Sequence, residues 1–311
     1  MTTVGSYAGR TDTGRKRRRN EDSYVMAPPL FAVADGMGGA QGGEVASRLA
    51  AAALEDTDPG RLTGPERVAS LIQEANRRVH ERSSVDPATS GMGTTMTVAL
   101  VESEGVVIGH VGDTRAYRVR GGRIEQLTED HSLVNELLKS GKLSPEEAET
   151  HPQRSVITRA VGTDPDVDVD SFIVDARDGD VFLICSDGLT AMVGDEDILH
   201  VVEHNHHDLD TVTKLLVAAA NRGGGEDNIT VVTFGIASSG GGGTDLGDTA
   251  TMEAVVFPEA GETREHVGTP RREVDDDAPS RRPSATRGRL VLFVLFVVVV
   301  LVSLLVWGLM R

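Results

Sequence analysis

Three aspartates stand at the ends of short apolar segments that lie far apart in the chain. Asp35 follows the apolar run 31–34, Asp187 follows the segment VFLICS, and Asp227 comes just before NITVVTFGI. The loop after Asp35 is rich in glycine, with Gly36, Gly38, Gly39, Gly42 and Gly43. A short apolar run bounded by glycine predicts a buried strand, so each carboxylate is expected where a strand meets a loop that water can reach.

Metal binding is the chemistry that such acids would support together. Carboxylates that converge without cations repel one another, and a bound divalent cation removes that repulsion. Glycine beside an acid lets the backbone come close enough for a carbonyl oxygen to join the ligands. Ligands that are all oxygen indicate Mg²⁺ or Mn²⁺ rather than Zn²⁺. A single Asp-Gly pair more often marks a turn, and it is the recurrence of acids at strand ends that favours a site for two metal ions.

The elements that must position these acids come in blocks of strands and blocks of helices. Strands are predicted at 6–11, 31–34, 94–101, 106–111, 115–119, 167–174, 181–186 and 229–236, and helices at 45–55, 65–83, 132–140, 195–202 and 209–220. This order lacks a regular βαβ alternation and therefore predicts antiparallel sheets. The predicted fold class is α+β, a central antiparallel β-sandwich flanked by helices on both sides. Two facing sheets would bring the strand ends, and with them the acids, to one edge.

Composition and charge limit the classes of function. The chain has 311 residues and a net charge of −17, so nucleic acid is not an expected partner. The basic run RKRRR at 15–19 is a local exception, which favours a solvated loop over a nucleic-acid-binding arm. Cys185 is the only cysteine, which excludes a disulfide framework and predicts a buried thiol.

The C-terminal part of the sequence differs from the rest. Residues 290–310 read LVLFVLFVVVVLVSLLVWGLM, which is long and apolar enough to span a bilayer as a helix. Arginines cluster just before this segment and only Arg311 follows it, so the long N-terminal part is expected in the cytoplasm. We therefore predict a catalytic domain at 1–237, a disordered acidic and Gly/Pro-rich tether at 238–289 and a transmembrane helix at 290–310, which together place the protein at the cell membrane.

Several motifs, in their order along the chain, resemble one known family. They are DTGRKRRRNED, FAVADGMGGAQGGEVAS, GMGTTM, HVGDTRAYRVR, QLTEDHSLV, HPQRSVITRAVG, CSDGLT and EDNITVV. This order is similar to that of bacterial metal-dependent (PPM, type-2C) serine/threonine protein phosphatases, over about residues 5–236. The resemblance implies the same sandwich fold and the hydrolysis of phosphoserine and phosphothreonine by a water activated by two Mn²⁺ or Mg²⁺ ions.

The resemblance also implies a role for each matching residue. Asp35 would bridge the two ions and the Gly36 carbonyl would bind one of them, while Asp187 and Asp227 would hold the first ion. Glu21 and Asp22 match the pair of acids that contacts the second ion and its waters. Arg17 matches the arginine that binds the substrate phosphate. The expected catalytic residues are Arg17, Asp22 and Asp35. Asn228 is expected to position the loop.

Three positions qualify the match to the family. Met37 stands where animal members often carry a histidine proposed as general acid, so a water would have to supply that proton. A weak third metal site would use Asp113, Asp187 and the flap residue Ser155, and it lacks the common acid at Ala191. The flap, at about 139–160, does not reveal which substrates it admits.

The histidines are not expected to bind metal. The cluster of His204, His206 and His207 is predicted to lie in a solvated loop without neighbouring ligands, whereas His110 and His131 are expected to form hydrogen bonds in the core. The expected partners are phosphorylated proteins and, by the resemblance alone, a Ser/Thr protein kinase whose action the enzyme reverses. Two alternatives stay open at this stage: a regulatory phosphatase that acts on a single partner-switching protein, and an inactive module that binds phosphoproteins.

Overall fold

The structure of the chain is a computed structural model that describes residues 2–38, 41–57, 60–149 and 151–238. The strands are β1 Thr2–Asp12, β2 Asp22–Ala27, β3 Leu30–Met37, β4 Gly93–Thr94, β5 Met96–Glu102, β6 Gly105–Val111, β7 Arg115–Arg120, β8 Arg123–Gln126, β9 Asp170–Val174, β10 Val181–Cys185 and β11 Ile229–Ser238. The helices are α1 Gly42–Asp56, α2 Gly64–Val85, α3 Leu133–Lys139, α4 Pro145–Glu149, α5 Asp187–Thr190, α6 Asp195–Asn205 and α7 Leu209–Gly223.

Within these described residues the strands form two antiparallel sheets. The first has the order β1-β11-β10-β7-β8, and the second has the order β2-β3-β5-β6-β9, with β4 paired to β3. Aromatic side chains from both sheets meet between them: Phe31 stacks on Phe234 at 4.4 Å between ring centroids, and Phe234 stacks on Phe182 at 5.3 Å. All three rings are buried, so the space between the sheets is a packed apolar core.

Helices cover the outer face of each sheet. Helix α2 presents Val68, Leu71, Ile72, Ala75 and Val79 to the second sheet, and this spacing gives a helix one apolar face. Helices α6 and α7 pack in the same way on the first sheet. The predicted antiparallel sandwich with helices on both sides is therefore confirmed.

The structure corrects two details of the sequence interpretation. The strand predicted at 167–174 begins only at Asp170, and the side chain of Asp170 binds Arg159 and His131 instead of belonging only to a solvated face. His204 lies in the last turn of α6 and not in a loop, because the helix continues to Asn205. No group of His, Cys, Asp or Glu at this helix end, or elsewhere in the described part of the chain, encloses a metal ion by itself.

The predicted tether and transmembrane helix lie outside the described residues, apart from Ser238, and remain predictions. Among the residues that the structure describes, no helix is both long and apolar enough to cross a membrane.

Candidate active site

The hairpin of β2 and β3 places two of the predicted acids opposite each other. Asp22 and Asp35 are direct partners in the antiparallel register. The backbone of Asp35 is fixed from the other side, since its carbonyl accepts hydrogen bonds from the Thr95 amide at 2.9 Å and from the Thr94 hydroxyl at 2.7 Å. The Gly36 amide donates to the Glu21 carbonyl at 3.1 Å. Glu21, Asp22, Asp35 and Gly36 therefore lie at one end of the second sheet.

Asp22 also connects this sheet to the first one. Its Oδ2 accepts hydrogen bonds from the Ser186 hydroxyl at 2.8 Å and from the Thr230 hydroxyl at 2.6 Å. Ser186 directly precedes Asp187, which follows β10 and begins the short helix α5. The acids of the two sheets are thus held together at the same edge of the sandwich, as their positions at the ends of apolar segments predicted.

The third aspartate and the arginine come from two loops that are bound to each other. The Arg17 guanidinium donates to Asp227 Oδ2 at 2.6 Å and lies 3.7 Å from a carboxylate oxygen of Glu21. The Asn228 amide donates to the carbonyls of Thr13 and Arg19, each at 2.9 Å. Its side-chain oxygen accepts from the backbone amide of residue 21 at 2.8 Å. The expected role of Asn228 in positioning the loop is therefore confirmed.

Glycines bring these segments into direct backbone contact. A Cβ atom on Gly36 would lie 2.0 Å from the carbonyl oxygen of Gly43, and one on Gly188 would lie 2.0 Å from the carbonyl oxygen of Asn228. No real side chain tolerates such distances, so these glycines are required by close approach. The acids consequently sit on backbone segments that touch without side chains between them.

The electrostatics of the cluster are those of acids with too few cations. Burial raises the pKa of Asp22 to about 7, despite its two hydroxyl hydrogen bonds. Burial and then the charge of Asp22 raise the pKa of Asp35 well above its usual range. Burial and the charge of a neighbouring aspartate likewise raise the pKa values of Asp187 and of Asp113, the latter to about 8. The cluster therefore cannot carry its full negative charge at neutral pH unless cations join it.

Two buried oxygen atoms in the cluster point to the same conclusion. Asp22 Oδ1 and Asp187 Oδ1 are buried and have no hydrogen-bond partner among the described residues. A buried carboxylate oxygen without a partner is costly, and a bound cation would satisfy it. Mg²⁺ usually keeps several water ligands and binds only one or two carboxylates. A site for such an ion therefore needs a pair of acids and does not need three acids that converge on one point. The residues present therefore fit two oxygen-liganded divalent ions.

The flap covers a cleft that begins at the acids. Asp187 and Asp113 line one part of this cleft of about 850 Å³, and Ser155 of the flap and Asn135 of α3 line another. Thr158 and Leu133 attach the base of the flap by backbone hydrogen bonds of 2.9 Å to His131 and Val156. The three residues predicted for a third metal site thus line one cleft, and metal binding by them remains a prediction.

The core histidines behave as the sequence predicted. His110 contacts the Thr97 hydroxyl at 2.8 Å and the Glu129 carbonyl at 3.0 Å. His131 accepts a hydrogen bond from the Gly112 amide at 3.0 Å. These contacts occupy both rings, so the prediction of hydrogen-bonding core residues is confirmed.

Sequence reasoning missed the two hydroxyls that hold Asp22. Ser186 and Thr230 are fully buried, and each occupies a polar position next to an apolar strand segment or within it. The sequence shows only that they lie near the predicted acids Asp187 and Asp227. Their burial, which requires a partner for each hydroxyl, is visible only in the fold.

Comparisons with known proteins agree with this geometry. The family description "Protein phosphatase 2C" matches residues 15–220. The serine/threonine phosphatase stp of Listeria monocytogenes serotype 4b is 40% identical over 234 residues, which are 72% of this chain and 92% of the relative.

Solved structures give the same result. The crystal structure of the Mycobacterium tuberculosis serine/threonine phosphatase PstP/Ppp superposes with a TM-score of 0.71 at 39% identity, covering 76% of this chain and 100% of that one. The catalytic domain of PstP in complex with two manganese ions superposes with a TM-score of 0.68 at 35% identity, covering 76% and 100%. The chain belongs to the protein phosphatase 2C family, the family that its motifs predicted.

Proposed function

We propose that the protein removes phosphate from phosphoserine and phosphothreonine residues of other proteins, with two Mn²⁺ or Mg²⁺ ions as cofactors, at the cytoplasmic face of the cell membrane. The observation that carries this proposal is the cluster of buried, mutually repelling carboxylates at one edge of the sandwich with Arg17 beside it. Named serine/threonine phosphatases at 40% identity support the reaction. The substrates in the cell would be phosphorylated by a Ser/Thr protein kinase.

The residues that would hold the ions are those that the geometry brings together. They are Asp35, the Gly36 carbonyl, Asp187, Asp227, Glu21 and Asp22. Bound there, the ions would neutralise the carboxylates, polarise the phosphoryl oxygens and lower the pKa of the attacking water.

Arg17 would bind the substrate phosphate. Its guanidinium is half-exposed and adjoins the acids, and its planar fork suits two phosphoryl oxygens at once. Burial opposes its protonation, but the hydrogen bond to Asp227 and the nearby carboxylates raise the pKa of Arg17, so it stays charged. Arg17 therefore orients the phosphate and neutralises charge as the bond to the leaving oxygen breaks.

Asp22 and the glycine-bound loops would keep the acids in place. Ser186 and Thr230 fix one oxygen of Asp22 and leave the other facing the cluster without a protein partner in the described chain. Water attacks phosphorus and the bond to the seryl or threonyl oxygen breaks, so no side chain becomes phosphorylated. Met37 cannot donate a proton to that oxygen, which therefore takes it from water.

The reaction is tested with the full chain in a mild non-ionic detergent. Hydrolysis of a phosphothreonine peptide should stop when EDTA is added and return with an excess of Mn²⁺. Activity should return because the acids would bind Mn²⁺ again and because the reaction needs no side-chain nucleophile. A folded, metal-loaded protein that binds phosphopeptides without hydrolysing them would instead identify an inactive binding module.

Membrane attachment is tested by removing the apolar C-terminal segment. Deletion of residues 287–311 should release the protein from the membrane fraction of expressing cells and leave peptide hydrolysis within about twofold, because none of the site residues lies there. The substitution Val300→Arg tests the same segment without shortening the chain. It should also weaken membrane association, since a single charge at the centre of a span disfavours insertion. Membrane association that survives the deletion would disprove this segment as the only anchor.

A further inference from the structure

The basic run at 15–19 holds more positive charge than the proposed reaction uses. Arg17 alone contacts the acids, whereas the four residues around it, here called the flanking cations, are Arg15, Lys16, Arg18 and Arg19. Their side chains are exposed, and none of them forms an ion pair or side-chain hydrogen bond with another described residue.

The flanking cations are unusual because they stand together on both sides of Arg17. Acidic residues outnumber basic ones by 48 to 31, so solvent-exposed arginines have many carboxylates to bind. Other arginines do so: Arg48 binds Glu44 at 3.0 Å and Arg82 binds Asp86 at 2.8 Å. Four neighbours of Arg17 that bind no acid of the described chain leave a concentrated positive charge around the residue that contacts Asp227.

The backbone of this run is fixed even though its side chains are free. The amides of Arg15 and Lys16 donate to the Gly225 carbonyl at 2.7 and 3.1 Å. Asn228 holds the carbonyls of Thr13 and Arg19 at the two ends of the run. The flanking cations are therefore presented at a fixed place next to Arg17, and binding an anion there would cost little backbone entropy.

The position of the flanking cations favours a peptide substrate as their partner. They border Arg17, the residue that would bind the scissile phosphate, so a peptide whose phosphate binds Arg17 lies next to them. The run forms a closed turn, because the Thr13 and Arg19 carbonyls on either side of it bind the same amide nitrogen of Asn228, each at 2.9 Å. The exposed side chains of the flanking cations are therefore concentrated around Arg17, where they can meet negative groups on either side of the phosphorylated residue.

We propose that the flanking cations make the enzyme selective for phosphorylated protein segments that carry further negative charge, from acidic residues or a second phosphate, within about four residues of the phosphate that is removed. This inference rests on the proposed function. Each exposed ion pair contributes little by itself, so the selectivity depends on several cations acting together and weakens with salt. The charge also accelerates encounter with acidic segments.

The test compares two phosphothreonine peptides of equal length on the full chain with Mn²⁺ in non-ionic detergent. One peptide has two glutamates on each side of the phosphothreonine, and the other has glutamines there. The acidic peptide should have a KM about tenfold lower with kcat within twofold, and this advantage should shrink to about threefold when NaCl rises from 50 to 300 mM.

A triple variant assigns the effect to the loop. Arg15→Gln, Lys16→Gln and Arg18→Gln together should abolish the preference and leave the glutamine peptide within twofold. The matched control neutralises three exposed residues of other elements, Arg61→Gln, Arg123→Gln and Lys214→Gln, and should keep the preference. Arg17 and Arg19 stay unchanged because the first contacts the acids and the charge of the second acts on Glu21.

The outcomes separate this inference from the proposed function. If neither peptide is hydrolysed, both the inference and the proposed function are refuted. If both peptides are hydrolysed equally, the protein is a phosphatase but the flanking cations do not select its substrates. The same conclusion follows if the triple variant keeps the preference or if the control variant also loses it. A last outcome concerns lipid. If the triple variant no longer prefers phosphatidylserine vesicles to phosphatidylcholine vesicles, while its peptide preference is unchanged, the loop binds membrane lipid and the inference is overturned as well.

Discussion

An acid stands beside each end of strand β10, and the two acids differ in how their carboxylate oxygens are satisfied. Asp180 precedes the strand and is 1% exposed. It accepts hydrogen bonds from Arg120 with both oxygens and from the Arg177 amide at 2.7 Å. Asp187 follows the strand, lies among other acids and has a buried oxygen without a partner in the described chain.

This difference separates a structural acid from a functional one. A buried carboxylate that meets a guanidinium in a two-point contact has its charge compensated by the protein itself. A partly buried carboxylate beside further carboxylates, with one buried oxygen unpartnered, needs a cation that the chain does not supply. The missing partner therefore marks the end of the strand where chemistry is proposed.

The largest effect is expected from Asp187→Asn. The substitution keeps the volume and removes a charge, so turnover of a phosphothreonine peptide should fall about 10³-fold or more while the fold is kept. Kinetics with Mn²⁺ and a circular dichroism spectrum measure the two properties. Activity close to that of the unsubstituted chain would disprove the proposed role of Asp187 in metal binding.

The opposite result is expected from Asp180→Asn at the other end. Arg120 would lose the charge of its buried partner and keep only the exposed Asp175 at 3.2 Å. The free energy of unfolding should therefore fall by roughly 2–3 kcal/mol, below the ~3–5 kcal/mol of a fully buried pair because Arg120 is partly exposed. Urea unfolding measures this loss, and the activity of the folded protein should stay within twofold. If turnover falls instead while stability stays the same, the contrast between the two ends is wrong.

A smaller effect is expected in the pH dependence of the metal-free protein. The pKa of Asp22 is about 7 in the folded chain and about 3.9 when unfolded, so the folded state binds more protons between these values. Stability without metal is therefore highest below about pH 4 for this group and falls as pH rises toward 7, by up to about 1.4 kcal/mol per pH unit. Melting temperatures in EDTA between pH 5 and 7.5 should show this slope.

Two variants isolate the contribution of the site to that slope. Asp22→Asn should flatten it because the titrating group is gone, whereas Asp180→Asn should lower all melting temperatures and leave the slope unchanged. Added Mn²⁺ should stabilise the protein more at pH 7.5 than at pH 5, since the ion and the proton compete for the same carboxylates. Equal slopes in the unsubstituted chain and in Asp22→Asn would contradict the assignment.

The sequence was sufficient for the features that depend on local pattern. The apolar runs before Asp187 and after Asp227 placed these acids beside strand ends, and the helical spacing from Val68 to Val79 placed α2. Asp35 lies within its strand instead, because β3 runs two residues beyond it to Met37. The short helix α5 escaped prediction because four residues are too few to show a helical period.

Contacts between distant segments could not be predicted from local pattern. Asp22 and Thr230 are 208 positions apart, and nothing in either segment announces that their side chains meet. Asp170 has the alternation of a half-buried strand, yet Arg159 and His131 bind it because the flap returns to the sheet there. Such partners follow from the topology and not from periodicity or propensity.

The direct backbone contacts at Gly36 and Gly188 also bear on how the site can change over evolutionary time. Because a single methyl group at either position would collide with a carbonyl oxygen at 2.0 Å, no sequence of small, tolerated substitutions leads away from these glycines. Variants of this chain should therefore tolerate substitutions in the flap and around Arg17 more readily than at these two glycines. New substrate preferences should accordingly arise at the rim of this site, with the same reaction at its centre.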